Sequence, residues 1–147
     1  MFKRVAASVV AVGAVAVVWA GSATGTTGSQ RFSISGSNNG GSVFASGPIS
    51  GSGRDIVMGQ NADQFVFPAG SVLVSHQASS QNQTVDPRSC LGRFTESGNY
   101  QLVSGTGAYR GVTGSGTYSA RGTSRGCDPK TAQSRFFISA SGWTSLP

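Results

Sequence analysis

His76 is the only histidine of the chain and Glu96 is the only glutamate. An imidazole beside a buried carboxylate can transfer protons near neutral pH, because each group shifts the pKa of the other. We therefore take His76 and Glu96 as candidate catalytic residues, acting as a general acid and base, provided that their strands face one cavity. The alternative is that His76 is a surface or hydrogen-bonded residue near the end of a strand.

Other chemistries lack the residues they need. A zinc site requires several convergent His, Cys or carboxylate ligands, whereas this chain has one histidine, two cysteines and five dispersed acids. A serine hydrolase requires a Gly-x-Ser-x-Gly turn between a strand and a helix, and no such arrangement is recognisable. The sequence therefore predicts no metal and no cofactor.

Cys90 and Cys127 are the only cysteines. A redox or nucleophilic role requires a Cys-x-x-Cys spacing or a matched histidine and acid, and two cysteines in an exported chain usually form a structural bridge. We expect one disulfide bond between them. In the chain-entropy description, closing a loop of this size stabilises the fold by about 4 kcal/mol.

The N-terminal residues have the pattern of a secretory signal peptide. Lys3 and Arg4 precede an apolar run over residues 5–20, and small residues follow up to Ala23. This order of basic, apolar and small residues is typical of cleavable signals. We place cleavage after Ala23, with Ala20 as the alternative site, so the protein is predicted to be secreted. The other interpretation, a membrane anchor, requires roughly 20 apolar residues, more than the run supplies.

The remaining chain divides into a predicted flexible tail, residues 24–29, and one domain, residues 30–147. The net charge of the full chain is +6, but the basic residues after the signal occur singly. A nucleic-acid surface usually shows clustered lysines and arginines, so we predict no nucleic-acid partner. Solvated surface arginines are the favoured explanation of the charge, and electrostatic attraction to acidic cell-wall polymers is the alternative.

Short apolar runs separated by Gly, Ser, Asn or Pro are typical of half-buried strands joined by tight turns. Eight such runs occur, and no window has a helical period. With no helix to cover a sheet, the strands must close into a barrel or stack as two sheets. Residues 79–86 are interpreted as a polar loop. The runs are residues 31–36, 42–50, 54–59, 63–67, 71–78, 93–104, 112–123 and 134–143.

The alternation within these runs predicts which side chains form the core. The predicted core residues share one parity within each strand; they are Phe65, Phe67, Val72, Val74, His76, Phe94, Glu96, Tyr100, Leu102, Phe136, Ile138 and Ala140.

The most distinctive segment spans residues 102–118 and contains Gly105-Thr106-Gly107-Ala108-Tyr109-Arg110-Gly111-Val112. Its glycines permit a tight reversal between two strands, and Tyr109 can close one end of a barrel. A phosphate-binding loop would need a following helix and a lysine, and neither is present. The segment resembles the hallmark of the allene oxide cyclase and dirigent superfamily, in particular its secreted actinobacterial members. The resemblance extends over residues 63–123.

This resemblance implies an antiparallel eight-stranded barrel with a pocket at one end. The aromatic residues Phe94, Tyr100, Tyr109 and Tyr118 are the candidates for lining that pocket. We expect a secreted barrel without catalytic activity that binds a small apolar ligand or acts at the cell surface. The alternatives are a cyclase-like or isomerase-like enzyme that steers a reactive molecule, and a structural or interaction protein of the cell envelope.

Overall fold

A closed antiparallel barrel of eight strands forms the molecule, as predicted, with each strand paired to its neighbours in sequence and the last paired to the first. The computed structural model describes residues 25–38, 40–128 and 130–147, so the predicted signal peptide lies outside the described residues. The strands are β1 (Thr26–Ser37), β2 (Gly40–Ser46), β3 (Gly51–Gly59), β4 (Ala62–Phe67), β5 (Gly70–Asp86), β6 (Leu91–Gly105), β7 (Thr113–Arg125) and β8 (Gln133–Leu146).

Alternate side chains of each strand point into the barrel, as the period-two pattern predicts. In β1, Phe32 and Ile34 are buried while Ser33 and Ser35 are exposed. Nine of the twelve predicted core residues are buried or pack against the buried cluster, whereas His76, Phe94 and Glu96 are only partly buried. The buried predicted members are Phe65, Phe67, Val72, Val74, Tyr100, Leu102 and Ala140, and Phe136 and Ile138 pack against them.

One end of the barrel is closed by the connections between strands. Ile49 in the loop after β2, and Tyr109 and Val112 in the connection after β6, are buried. Gln30 is buried beside this loop, where its side-chain oxygen accepts a hydrogen bond from the Ile49 amide and its nitrogen donates to the Ile49 carbonyl, each at 2.9 Å. Tyr109 lies in a short 3-10 turn and packs edge-on against Phe67, with ring centroids 5.7 Å apart.

The prediction of a flexible tail over residues 24–29 is wrong for Thr26 through Ser29, and residue 24 lies outside the described residues. Thr26 through Ser29 belong to β1 and pair with residues 146–143 of β8. Their polar sequence gives no apolar alternation, but the end of β8 needs a hydrogen-bonding partner for its backbone. Closing the barrel therefore orders a segment that the sequence pattern marks as a tail.

The predicted polar loop of residues 79–86 is also a strand. It forms the outer half of β5 and pairs with residues 97–91 of β6. Residues 81–86 are exposed on both faces, so the segment shows no alternation that could have predicted a strand. Backbone hydrogen bonds to β6 hold this segment in place, although its side chains are exposed.

Cys90 and Cys127 form the predicted disulfide bond, with Cα atoms 4.9 Å apart, within the usual range for bridged cysteines. Cys90 ends the turn between β5 and β6, and Cys127 begins the turn between β7 and β8. The bond therefore joins two turns at the barrel end opposite Tyr109. The Gly126 amide also donates a hydrogen bond to the Cys90 carbonyl, at 3.0 Å.

Candidate functional site

The barrel interior contains a cavity with a mainly apolar wall, extending from the middle of the barrel away from the end that Tyr109 closes. The space inside this cavity measures about 70 Å³. A site needs only roughly 10–15 Å³ of such space to hold one water molecule, so this cavity can hold several waters or a small organic molecule. It is lined by Phe32, Ile34, Asp55, Asp63, Phe65, Val74, His76, Glu96, Tyr100, Tyr118, Ala120, Ile138 and Ala140.

His76 on β5 forms an ion pair with Asp63 on β4, with 3.1 Å between Nε2 and Oδ2. Asp63 pairs with Val74 across the β4–β5 ladder. His76 lies two residues beyond Val74 on the same face of β5 and is therefore a diagonal neighbour of Asp63. The hydrogen bond to Asp63 raises the pKa of His76, and burial partly opposes this rise. The two side chains are 22% and 17% exposed, so solvent reaches this side of the cavity.

Glu96 on β6 accepts two short hydrogen bonds. The Tyr118 hydroxyl donates to Oε1 at 2.5 Å, and the Gln81 amide nitrogen donates to Oε2 at 2.6 Å. Gln81 faces Glu96 because the register of β5 shifts by one residue between Ala78 and Ser80, and such a bulge moves the following side chains to the opposite face. Burial and the bond to Glu96 raise the pKa of Tyr118, so its hydroxyl stays protonated and donates.

Asp55 on β3 is the most buried carboxylate of the cavity, at 5% exposure. Its Oδ1 atom has no hydrogen-bond partner within the described residues. Burial, and secondarily the charge of Asp63, raise the pKa of Asp55 to about 6, against a lowering by His76. An ionised carboxylate without a partner is costly in an apolar site, so this group is available for a ligand.

Tyr100 on β6 presents a second polar atom of this kind. Its ring is 3% exposed and packs edge-on against Phe32, with ring centroids 6.0 Å apart. Its hydroxyl has no hydrogen-bond partner in the described part of the chain, and burial raises its pKa. The cavity therefore contains a hydroxyl group and a carboxylate oxygen that accept or donate no hydrogen bond among the described residues.

No protein-family model, curated protein or solved structure matches this chain. Its function is therefore inferred from the cavity itself.

The candidate catalytic residues both line this cavity, but they do not form one pair. The carboxylate that contacts His76 is that of Asp63, whereas Glu96 is held by Tyr118 and Gln81. Glu96 acts on His76 only through its charge, which contributes to the raised pKa of the histidine. The rings of His76 and Tyr118 meet edge-on, with centroids 5.7 Å apart, and so connect the two groups.

Two of the four aromatic pocket candidates line the cavity, namely Tyr100 and Tyr118. Phe94 instead lies further along β6, where its ring covers Gly122 on β7. Tyr109 closes the opposite end of the barrel against Phe67. The two residues therefore mark the ends of the barrel interior, beyond the cavity wall.

The sequence pattern did not single out Asp55 or Gln81. Asp55 lies among Arg54, Ile56 and Val57, a run in which adjacent apolar residues obscure which parity faces inwards. Gln81 is exposed, and its side chain lies on the same face of the sheet as that of Glu96 only because of the bulge in β5. Asp63 lies on the strand before His76, and no sequence pattern pairs these two residues.

Across the described ranges 25–38, 40–128 and 130–147, no group of three or more His, Cys, Asp or Glu side chains is arranged to hold a metal ion. The same residues include no helix with the length and apolar character needed to cross a membrane.

Proposed function

We propose that this protein binds a small, mostly apolar molecule inside its barrel. The observation that carries the proposal is a cavity with apolar walls in which Asp55 and Tyr100 hold buried polar atoms that have no hydrogen-bond partner among the described residues. Binding sites commonly combine an apolar wall with a few such polar groups, which fix the orientation of the ligand.

The size of the cavity limits the ligand. Sites for drug-sized molecules usually measure roughly 300–1,000 Å³, and this cavity offers about 70 Å³. The ligand is therefore a molecule of few non-hydrogen atoms. Because the best small ligands gain at most about 1.5 kcal/mol per such atom, we expect dissociation constants in the micromolar to millimolar range.

The binding proposal is tested by nuclear magnetic resonance titration with isobutanol, isobutylammonium and isobutyrate, which are similar in size and differ in charge. We expect at least one of them to cause saturable shifts confined to cavity-lining strands. Ala140→Leu should abolish these shifts by filling the cavity, whereas Ser139→Leu, on the neighbouring outward position, should leave them unchanged. If none of the three probes binds, the proposed function is wrong.

The titratable groups of the cavity favour a second candidate function, that of an isomerase-like or cyclase-like enzyme. The pKa of Asp55 lies near 6 and that of His76 is raised, which suits proton transfer near neutral pH. Such an enzyme removes a proton from a carbon beside a carbonyl and returns one elsewhere. Its simplest signature is deuterium incorporation into bound 2-butanone in heavy water, accelerated by the wild-type protein and slowed by Asp55→Asn or His76→Gln. Equal rates with and without protein would exclude this activity.

We also propose that the protein is secreted and belongs to the allene oxide cyclase and dirigent superfamily. The basic and apolar N-terminal pattern and the cysteine pair support export. The eight-stranded barrel agrees with the resemblance carried by residues 102–118. Mass spectrometry of the protein recovered from culture medium tests export, because cleavage after Ala23 predicts Thr24 as the first residue.

A further inference from the structure

The acidic residues of this chain are concentrated in its cavity. The chain has 11 Lys and Arg against 5 Asp and Glu. Three of the acids, Asp55, Asp63 and Glu96, line the cavity. Among the residues that the structure describes, no lysine or arginine lines it, and His76 is the one basic side chain in its wall. A basic protein thus encloses a site in which negative charge is in excess, and this distribution complements a cation.

Only one of the three carboxylates lacks a partner. Asp63 is paired with His76, and Glu96 accepts hydrogen bonds from Tyr118 and Gln81. The Oδ1 atom of Asp55 is buried and unpartnered in the described part of the chain. A positively charged donor next to Asp55 would compensate the cost of its burial.

The walls of the cavity suit an organic cation better than a hydrated metal ion. Phe65 is the direct cross-strand partner of Asp55, and its ring packs against that of Phe32 at 5.3 Å between centroids. Tyr100 and Tyr118 add two further aromatic rings to the lining. Aromatic faces attract cations through their quadrupole and also accommodate alkyl groups.

We propose that the cavity selects a small alkylammonium ion, whose charged N–H group donates to Asp55 and whose alkyl part contacts Phe32 and Phe65. The Tyr100 hydroxyl supplies a further acceptor. An anion is disfavoured because the one cationic lining group, His76, is already bound to Asp63. This inference rests on the proposed binding function and specifies the class of its ligand.

The test compares three probes of similar size at pH 7.5 by titration calorimetry: isobutylammonium, isobutanol and isobutyrate. We expect isobutylammonium to bind about tenfold or more tightly than isobutanol, the usual margin for a charge-assisted hydrogen bond, and isobutyrate to bind most weakly. Asp55→Asn should remove the preference for the cation while isobutanol still binds. Asp128→Asn is the matched control, since it removes the same charge from an exposed turn outside the cavity lining.

Measuring the same three affinities at lower pH is a second test. At pH 5 most of Asp55 is protonated, so the preference of the wild-type protein for isobutylammonium should decrease. Asp63, Glu96 and His76 face the same cavity, and repeating the pH series on Asp55→Asn isolates their contribution. The inference is overturned if isobutanol binds as well as isobutylammonium, or if Asp55→Asn keeps the preference. Absence of binding by all three probes would instead reject the proposed function itself.

Discussion

Asp55 combines deep burial with a carboxylate oxygen that has no hydrogen-bond partner in residues 25–38, 40–128 and 130–147. Burial raises its pKa to about 6 from an ordinary value of 3.8. A raised acid pKa in the folded state means that the native protein takes up a proton more readily than the unfolded chain. The free energy of unfolding therefore falls as the pH rises from about 4 to above 6.

Asp55→Asn is expected to remove this pH dependence. At pH 8 it should raise the free energy of unfolding by roughly 1–3 kcal/mol, the upper value corresponding to the full shift in pKa. At pH 4 the variant and the wild type should be equally stable, because Asp55 is then largely neutral in the folded protein. Urea unfolding at pH 4, 6 and 8 measures the difference, and a constant offset across this range would contradict the argument.

His76 adds a dependence of the same sign. Its pKa is raised in the folded state by Asp63, so it stabilises the fold below its unfolded value of 6.5 and this contribution is lost as the pH rises through its folded pKa. The effect persists in Asp55→Asn, so the variant should still lose some stability between pH 6 and 8. This remaining pH dependence of the free energy of unfolding distinguishes the contribution of His76 from that of Asp55.

At the scale of the elements, Gly98 on β6 and Gly116 on β7 make room for the rings of Tyr118 and Tyr100 in the cavity wall. Gly116 pairs with Tyr100 on β6 and with Gly142 on β8. A Cβ at Gly116 would lie 2.7 Å from a Tyr100 ring carbon and would also meet the Ser141 carbonyl oxygen. The absence of a side chain there lets the Tyr100 ring lie against the strand.

Gly116→Ala is expected to lower the free energy of unfolding by roughly 1–3 kcal/mol, the usual cost of overpacking. Gly59→Ala is the matched control, because a Cβ at Gly59 meets no atom within 4 Å. That variant should be neutral or slightly stabilised, since alanine restricts the unfolded chain. Chemical denaturation of both variants provides the comparison, and equal stability would show that Gly116 is not needed for packing.

For the whole molecule, the barrel is closed at one end by Ile49, Tyr109 and Val112 and is cross-linked at the other by the disulfide. The bond joins cysteines 37 residues apart and connects the β5–β6 turn to the β7–β8 turn. It constrains the unfolded chain over the entire β6–β7 hairpin.

Replacing both cysteines, as Cys90→Ser with Cys127→Ser, is expected to lower the free energy of unfolding by about 4 kcal/mol, the loop-closure value for this separation. Guanidinium unfolding with and without reductant measures it. Reductant should destabilise the wild type to a similar extent and should have no effect on the double variant. A loss below about 1 kcal/mol would mean that the bridge adds little to a barrel already held by its ladders.

The period-two alternation determined much of this fold before any tertiary information. It identified eight strands and the inward parity of residues such as Phe65, Val74 and Tyr100. It missed the strand character of Thr26 through Ser29 and of residues 81–86, where no side chain alternates between core and solvent. Those segments are ordered by backbone hydrogen bonds to β8 and β6, which a local pattern does not record.

The sequence by itself also determined which reactive residues the chain contains: one histidine, one glutamate and a single cysteine pair. Only the tertiary structure decided how these groups combine. Closing the barrel brought Asp55 and Asp63 into the cavity with His76, and the bulge after Ala78 turned Gln81 towards Glu96. The physical reason is that alternation is a property of one strand, whereas register and closure depend on hydrogen bonds between residues distant in sequence.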